Sequence, residues 1–370
     1  MKVLHSGDWH LGIDLHKVSL LKDQRYFLSQ LRDIVITENV DVVLISGDIY
    51  DTSLASKEAI ELFNDAMHML CMELHKQVIV IAGNHDSPTR LSTCAALLAP
   101  MGLHIIGKVE HVIKPIQIKD TFFYPFPFFH VETINRVYGV HMKNEEEAFQ
   151  YMIEQLDDDL KKPGCHIALA HAFLRNMETC DSERYIEAGG AQVIQASIFE
   201  KFDYVALGHL HRMQKALPHV VYSGSPLPYS FSEAQQEKYV LIFDTETKQI
   251  DKKVIQPLHP LKLYKGNYDQ IKQELLTNPC LNNTYVKVEI EDQMVSHEMF
   301  MSLQEYVPSL LQVSGKTFEN QSKISLEIEQ LQKLSDEEIL KFFFEDIYQE
   351  EIDTEQLQFY FEALQGVKEG

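Results

Sequence analysis

The sequence holds only five cysteines in 370 residues, at positions 71, 94, 165, 180 and 280, with no two closer than 15 positions. That spacing excludes a Cys-x-x-Cys clip and a disulfide-stapled mini-fold, and leaves reduced core thiols. No apolar run approaches the ~18 residues that span a bilayer. Asp8 also interrupts the N-terminus before a signal-peptide core can form. A cytoplasmic location and no membrane partner are therefore expected. Basic residues are short too: 33 Lys and Arg face 55 Asp and Glu, a formal net charge of −22. A broad basic face for gripping nucleic acid is excluded, so a polyanionic substrate has to be held locally. The deficit is uneven, since residues 301–370 carry 15 acidic and 5 basic side chains.

What is present is an ordinary globular composition, 45% apolar and 24% charged, in a chain long enough for two to three domains of ~150 residues. Histidine is conspicuous, at 17 residues. To about residue 255 short apolar runs alternate with helix-like stretches. Strands are expected at Lys2–His5, Asp41–Ser46 and Gln77–Ala82, and helices at Asp23–Glu38, Lys57–Leu74 and Arg90–Ala99. This alternation predicts an α/β layered core whose buried strands read as continuous Val/Ile/Leu runs. Further strands are expected at Ile116–Phe123, His166–Ala170, Tyr204–Leu207, Val220–Tyr222 and Lys238–Phe243, with the second half more antiparallel. Tyr124-Pro125-Phe126-Pro127 ends a strand and is read as core packing rather than base stacking.

Pro257 and Pro260 cannot continue a central strand, which sets a domain boundary near 258. A small α+β domain is expected over 259–332, with helices at Tyr268–Leu276 and His297–Leu311 and a strand at Thr284–Ile290. In the last segment, 333–370, Leu340, Phe343, Phe344 and Ile347 share one helical face, and Leu357, Tyr360, Phe361 and Leu364 repeat it 17 residues on. Ser335 with Glu338 forms a capping box. These faces either pack on their own domain or form an aromatic docking surface for a partner. Gly315-Lys316-Thr317 resembles the end of a phosphate-binding loop, but Leu310 stands where its first glycine belongs. Any ATP dependence has to come from another chain.

Five polar clusters each follow an apolar strand: Asp8-Trp9-His10, Gly47-Asp48-Ile49-Tyr50-Asp51, Gly83-Asn84-His85-Asp86, His171, and Gly208-His209-Leu210-His211. Sites in α/β sheets form beyond the carboxyl ends of strands, so all five can meet. Carboxylate, imidazole and one amide oxygen, with no thiolate, suit divalent Mn, Fe or Zn. The seven candidate ligands supply four bonds to each of two metals if Asp48 bridges. One metal is then assigned to Asp8, His10, Asp48 and His211, and the second to Asp48, Asn84, His171 and His209. His85 is left over, and is the candidate for stabilising the transition state or protonating the leaving oxygen. Asp51 either orients His85 or water, or caps a helix. Arg90, Arg175, Arg184 and Arg212 lie near these motifs as candidate phosphate contacts.

With Gly83-Asn84-His85-Asp86-Ser87-Pro88 go Asp181-Ser182-Glu183-Arg184, then Gly189-Gly190, and Tyr222-Ser223-Gly224-Ser225-Pro226 leading into Ser230-Phe231-Ser232-Glu233. Together these residues resemble the calcineurin-like metallophosphoesterases, and within them a DNA-nuclease branch. The resemblance is strong to about residue 260 and looser beyond. It implies a two-sheet sandwich flanked by helices, two metal ions that are most simply Mn²⁺, and exonuclease and endonuclease action on duplex DNA ends and hairpins in repair and recombination. It implies also an SMC-like ATPase partner docked on the C-terminal helical pair, a capping domain that helps hold DNA, and a homodimer formed through Ser56–Leu74 and Arg90–Leu98. Two other readings are a small-molecule or protein phosphatase, which leaves the residues beyond the core unexplained, and an inactive scaffold, in which a ligand should be missing.

Overall fold

The computed structural model describes residues 1–183, 193–277, 281 and 283–315. In chain order the first half comprises β1 (Lys2–Ser6), β2 (Asp14–Leu15), β3 (Val18–Ser19), α1 (Leu21–Thr37), β4 (Val42–Ile45), α2 (Lys57–Met67), β5 (Gln77–Ile81), α3 (Pro88–Leu91), α4 (Ala95–Leu98), β6 (Leu103–Ile106), β7 (Ile116–Ile118), β8 (Thr121–Phe126), α5 (Val131–Tyr138), α6 (Glu145–Glu154) and β9 (Cys165–His171). There follow β10 (Tyr204–Gly208), β11 (Gln214–Leu217), β12 (Val220–Tyr222), β13 (Lys238–Asp244), β14 (Ile250–Ile255), β15 (Leu261–Gly266), α7 (Tyr268–Thr277), β16 (Tyr285–Ile290), α8 (His297–Tyr306) and β17 (Leu310–Gly315).

Two six-stranded sheets stack face to face, in the orders β14-β13-β1-β4-β5-β6 and β11-β12-β10-β9-β8-β7. Their central strands read as largely apolar runs because both faces are covered. In β4, Val43 and Ile45 pack into the helix-side core with Phe27 and Leu62, while Val42 and Leu44 pack against Ile167, Leu169 and Tyr204 of the second sheet. On the far side, Tyr124, Phe126, Ala168 and Val205 pack with Phe149 and Met152 of α6. Each fully buried aliphatic side chain contributes ~1.5–3 kcal/mol. The expected two-sheet sandwich flanked by helices is what these layers form.

Several elements differ from expectation. The second half is less antiparallel than its sequence implies: β8, β9, β10 and β12 pair in parallel, and in that sheet only the edge pairs β7–β8 and β11–β12 are antiparallel. The edge pairs are joined by short turns, whereas long connections carry the chain back between the parallel ones. The single strand expected over Ile116–Phe123 is a hairpin turning at Lys119, which adopts φ 54°. The helix expected over Arg90–Ala99 breaks into α3 and α4, because Cys94 sits in the left-handed region at φ 61°. A π-helical turn, His68–Glu73, completes the stretch begun by α2. The helix expected to reach Leu311 ends at Tyr306, since Val307 precedes Pro308 and is extended, and the following residues become β17.

The parallel sheet β15-β16-β17 has its own core, with Val286, Val288 and Ile290 against Ile271, Leu275 and Leu303. A buried carboxylate joins it to the larger unit. Asp23 of α1 accepts the His259 N–H and bonds its ring Nδ1, both at 3.0 Å, and takes the Tyr285 hydroxyl at 3.4 Å. Arg184, Lys316 and Thr317, and the two helical faces Leu340–Ile347 and Leu357–Leu364, lie outside the described residues.

Candidate metal centre

The seven candidate ligands converge on one largely buried cluster, with His85 and Asp51 half-buried beside it. The first sheet delivers Asp8 and His10 after β1, Asp48 after β4, and Asn84 and His85 after β5; the second delivers His171 from the end of β9 and His209 and His211 after β10. Asp48 Oδ2 lies 3.6 Å from His10 Nε2 and 3.5 Å from His171 Nε2. Asn84 Oδ1 is 2.9 Å from His171 Nε2 and 3.1 Å from His209 Nδ1. The Nε2 atoms of His10 and His211 face one another at 3.1 Å. Two groups of donor atoms, from Asp8, His10 and His211 and from Asp48, His171 and His209, each fall within 4.8 Å of one another. His10, Asp51 and His85 form a third.

The loops are strained to achieve this. Asp8, His10, Asp48 and His209 all have positive φ, a conformation that costs a non-glycine residue on the order of 1–2 kcal/mol. The neighbouring glycines are needed for space. A Cβ on Gly47 would lie 2.3 Å from His171 Nδ1, and one on Gly83 would lie 2.1 Å from Asp48 Oδ1. Backbone groups then set the rings. The Nδ1 of His171 faces Ser46 O at 2.8 Å and that of His85 faces Asp51 O at 2.7 Å, so each Nδ1 carries a proton and each Nε2 is turned away from these backbone anchors. The His85 N–H donates to Asp48 Oδ1 at 2.9 Å. Helix α2 begins after Ser56, whose hydroxyl caps it, so Asp51 is not a helix cap.

Burial pushes the Asp8 carboxyl well above its ordinary range despite the attraction of His171, with Asp48 adding to the rise. Burial acts on Asp48 in the same sense, but His171, His10 and His85 outweigh it and hold that carboxyl down. Burial also keeps His10, His209 and His211 neutral, His209 falling to about 3. His171 is pushed up to about 9, since Asp48 and Asp8 overcome its burial. A metal fits this set on two independent grounds. Asp8 Oδ2 and His10 Nδ1 are buried without a hydrogen-bond partner among the described residues, and imidazoles, carboxylates and one amide oxygen are the donors a divalent ion takes, displacing the proton that His171 otherwise holds.

A calcineurin-like phosphoesterase family model matches residues 1–213. The chain belongs to that family. A second model, described as a type 5 capsule protein repressor C-terminal domain, matches residues 257–348 of this phosphoesterase. Among curated relatives, the SbcD component of the SbcCD nuclease from Staphylococcus epidermidis is 32% identical over 94% of this chain and 93% of its own. The protein of the same name from Staphylococcus saprophyticus is 32% identical over 96% of each chain.

The described arginines have partners of their own or face solvent. Arg90 donates to Ser53 O, Arg212 pairs with Glu178, and Arg175 is exposed; none of these three bonds a member of the metal cluster. Two supporting roles escaped sequence reasoning. Asp86 accepts the N–H groups of Ile49, Tyr50 and Gly83, tying the loop after β4 to the loop after β5. Gln24 of α1 holds the Trp9 and His10 carbonyls. In the sequence Asp86 stands only as part of its polar cluster, and Gln24 does not break its local pattern.

Proposed function

We propose that this phosphoesterase is a metal-dependent DNA nuclease, a double-strand exonuclease and hairpin or single-strand endonuclease working with an SbcC-type SMC-like ATPase. One observation carries the reading: a complete set of ligand-type side chains in a chain whose relatives, matched over nearly their whole length, are components of SbcCD nucleases. In this reading Asp8, His10, Asp48 and His211 hold one divalent ion, and Asp48, Asn84, His171 and His209 hold a second, with Asp48 shared. The chemistry such ions, Mn²⁺ in this proposal, would supply when bound is a water made nucleophilic at neutral pH and charge neutralised on the phosphoryl oxygens.

The chain's own residues do the rest. His85, its Nδ1 committed to the Asp51 carbonyl, presents Nε2 to the leaving oxygen and can carry a proton there. Asp51 therefore acts through its backbone, while its carboxylate faces His10 Nδ1 at 3.8 Å. Phe128 beside His171 and Phe173 beside His209 wall the second ligand set against water. Residues 259–332 serve as the DNA-holding cap and 333–370 as the segment that docks on the ATPase. A homodimer forms along α2 and α3–α4, where Leu54 is 72% and Leu97 74% exposed beside an apolar groove of 620 Å³. Among the described residues no helix is long and apolar enough to cross a membrane, in keeping with a cytoplasmic enzyme.

Digestion of end-labelled linear duplex DNA in Mn²⁺ tests the reading. The native chain cleaves and Asp48→Ala does not. A chain that hydrolyses a phosphate monoester but leaves DNA intact, with and without the ATPase, is a phosphatase instead.

A further inference from the structure

Two segments left without a role, Asp181-Ser182-Glu183 and Ser230-Phe231-Ser232-Glu233, meet at His211. The Ser182 hydroxyl lies 2.7 Å from His211 Nδ1 and donates to Glu233 Oε1 at 2.5 Å. A hydroxyl has one proton. Since that proton goes to the carboxylate, Ser182 Oγ can only accept from His211, which places the ring proton on Nδ1 and leaves Nε2 bare toward His10. Glu233 is fully buried and is itself braced: Lys238, also buried, donates to Glu233 Oε2, to Ser225 Oγ at 3.0 Å and to the His211 carbonyl at 2.9 Å, which uses all three ammonium protons. Glu183 Oε1 accepts the His211 N–H. Every polar atom of His211 except Nε2 is thus committed.

This treatment differs from that of His171, His85 and His10. His171 and His85 are oriented by backbone carbonyls, which need no particular side chain, and His10 Nδ1 has no hydrogen-bond partner among the described residues. We propose that Ser182 and Glu233, braced by Lys238, are positioning residues that fix the tautomer and direction of His211 for the divalent ion it shares with Asp8 and His10. The proposal rests on the reading of His211 as a metal ligand. It gives the buried Lys238–Glu233 pair a purpose beyond stability, for which a pair of this kind is a poor device. Outer partners of a ligating histidine raise its basicity and hold its geometry, and their loss weakens metal binding by ~10- to 100-fold.

The test titrates the full-length, metal-stripped chain with Mn²⁺ alone. The native chain takes up two ions; Ser182→Ala weakens one of them by ~10- to 100-fold and spares the other. Ser182→Thr, which keeps the hydroxyl, restores it. A folded Ser182→Ala with native affinity at both sites overturns the proposal, whereas a native chain that binds no Mn²⁺ overturns the metal-site reading beneath it. If Ser182→Ala does not fold, ¹⁵N NMR of the native metal-free chain decides. The His211 signals, identified by their absence from His211→Gln, show the proton on Nδ1; a proton on Nε2 overturns the proposal.

Discussion

Asp86 is the residue on which the geometry of the first sheet's loops depends most. Its carboxylate is buried and takes three backbone donors, Gly83 N at 2.9 Å, Tyr50 N at 3.0 Å and Ile49 N at 3.1 Å. These bonds join the loop that carries Asp48 to the loop that carries Asn84 and His85. Asp86→Ala leaves three donors without an acceptor, at ~1–3 kcal/mol each. Part of that loss is offset, because the carboxyl is costly to bury: burial, and then Asp48, push its pKa up to about 6. At pH 8 its removal returns at most ~3 kcal/mol, so with a middle value of ~2 kcal/mol per donor the net loss is ~3 kcal/mol. Asp86→Asn keeps one acceptor oxygen and loses ~1–2 kcal/mol. Urea unfolding of the chelator-treated chain reads this directly through Trp9, the single tryptophan, buried between Asp8 and His10. A chain made more stable by Asp86→Ala would refute the reasoning.

Three further outcomes are expected. His85→Asn retains its full complement of Mn²⁺ while cleavage falls ~10²- to 10⁴-fold; loss of metal together with activity would show that His85 is a ligand. Burial and then Glu132 push the Glu145 carboxyl up to about 7, so the native chain keeps a proton that the unfolded chain releases above about 4.5. The stability this provides is present at low pH and lost as pH rises through 7, so Glu145→Gln stabilises the chain by ~1 kcal/mol at pH 8, after discounting for solvent, and by nothing at pH 4; equal effects at both pH values would contradict the assignment. Asp23→Ala removes the buried acceptor that holds His259 and Tyr285, and limited proteolysis then cuts between residues 255 and 261, where the native chain resists.

The site was legible because its chemistry sits at the ends of recognisable strands. Val42-Val43-Leu44-Ile45 and Val78-Ile79-Val80-Ile81 are continuous apolar runs that only a doubly covered sheet needs, and the polar residue after each turn is therefore conspicuous. What stayed hidden depends on pairing between distant segments. The parallel pairing of β9 with β10 leaves no local mark, and the breaks at Cys94 and Lys119 occur at residues with no special tolerance for positive φ. The convergence of Ser182 and Glu233, 51 positions apart, on His211 is a property of the folded loops alone. Gln24 likewise supports two loop carbonyls from a helix whose apolar stripe gives no hint of it.

The central claim is that two halves of the sandwich hold two divalent ions across one shared carboxylate, Asp48. Equilibrium dialysis of the metal-stripped chain against Mn²⁺, followed by elemental analysis, measures this most directly, for the native chain and for Asp48→Ala. The account predicts two ions per native chain and neither held tightly by the variant. A native chain that saturates at one ion, or an Asp48→Ala chain that still holds two, would contradict it.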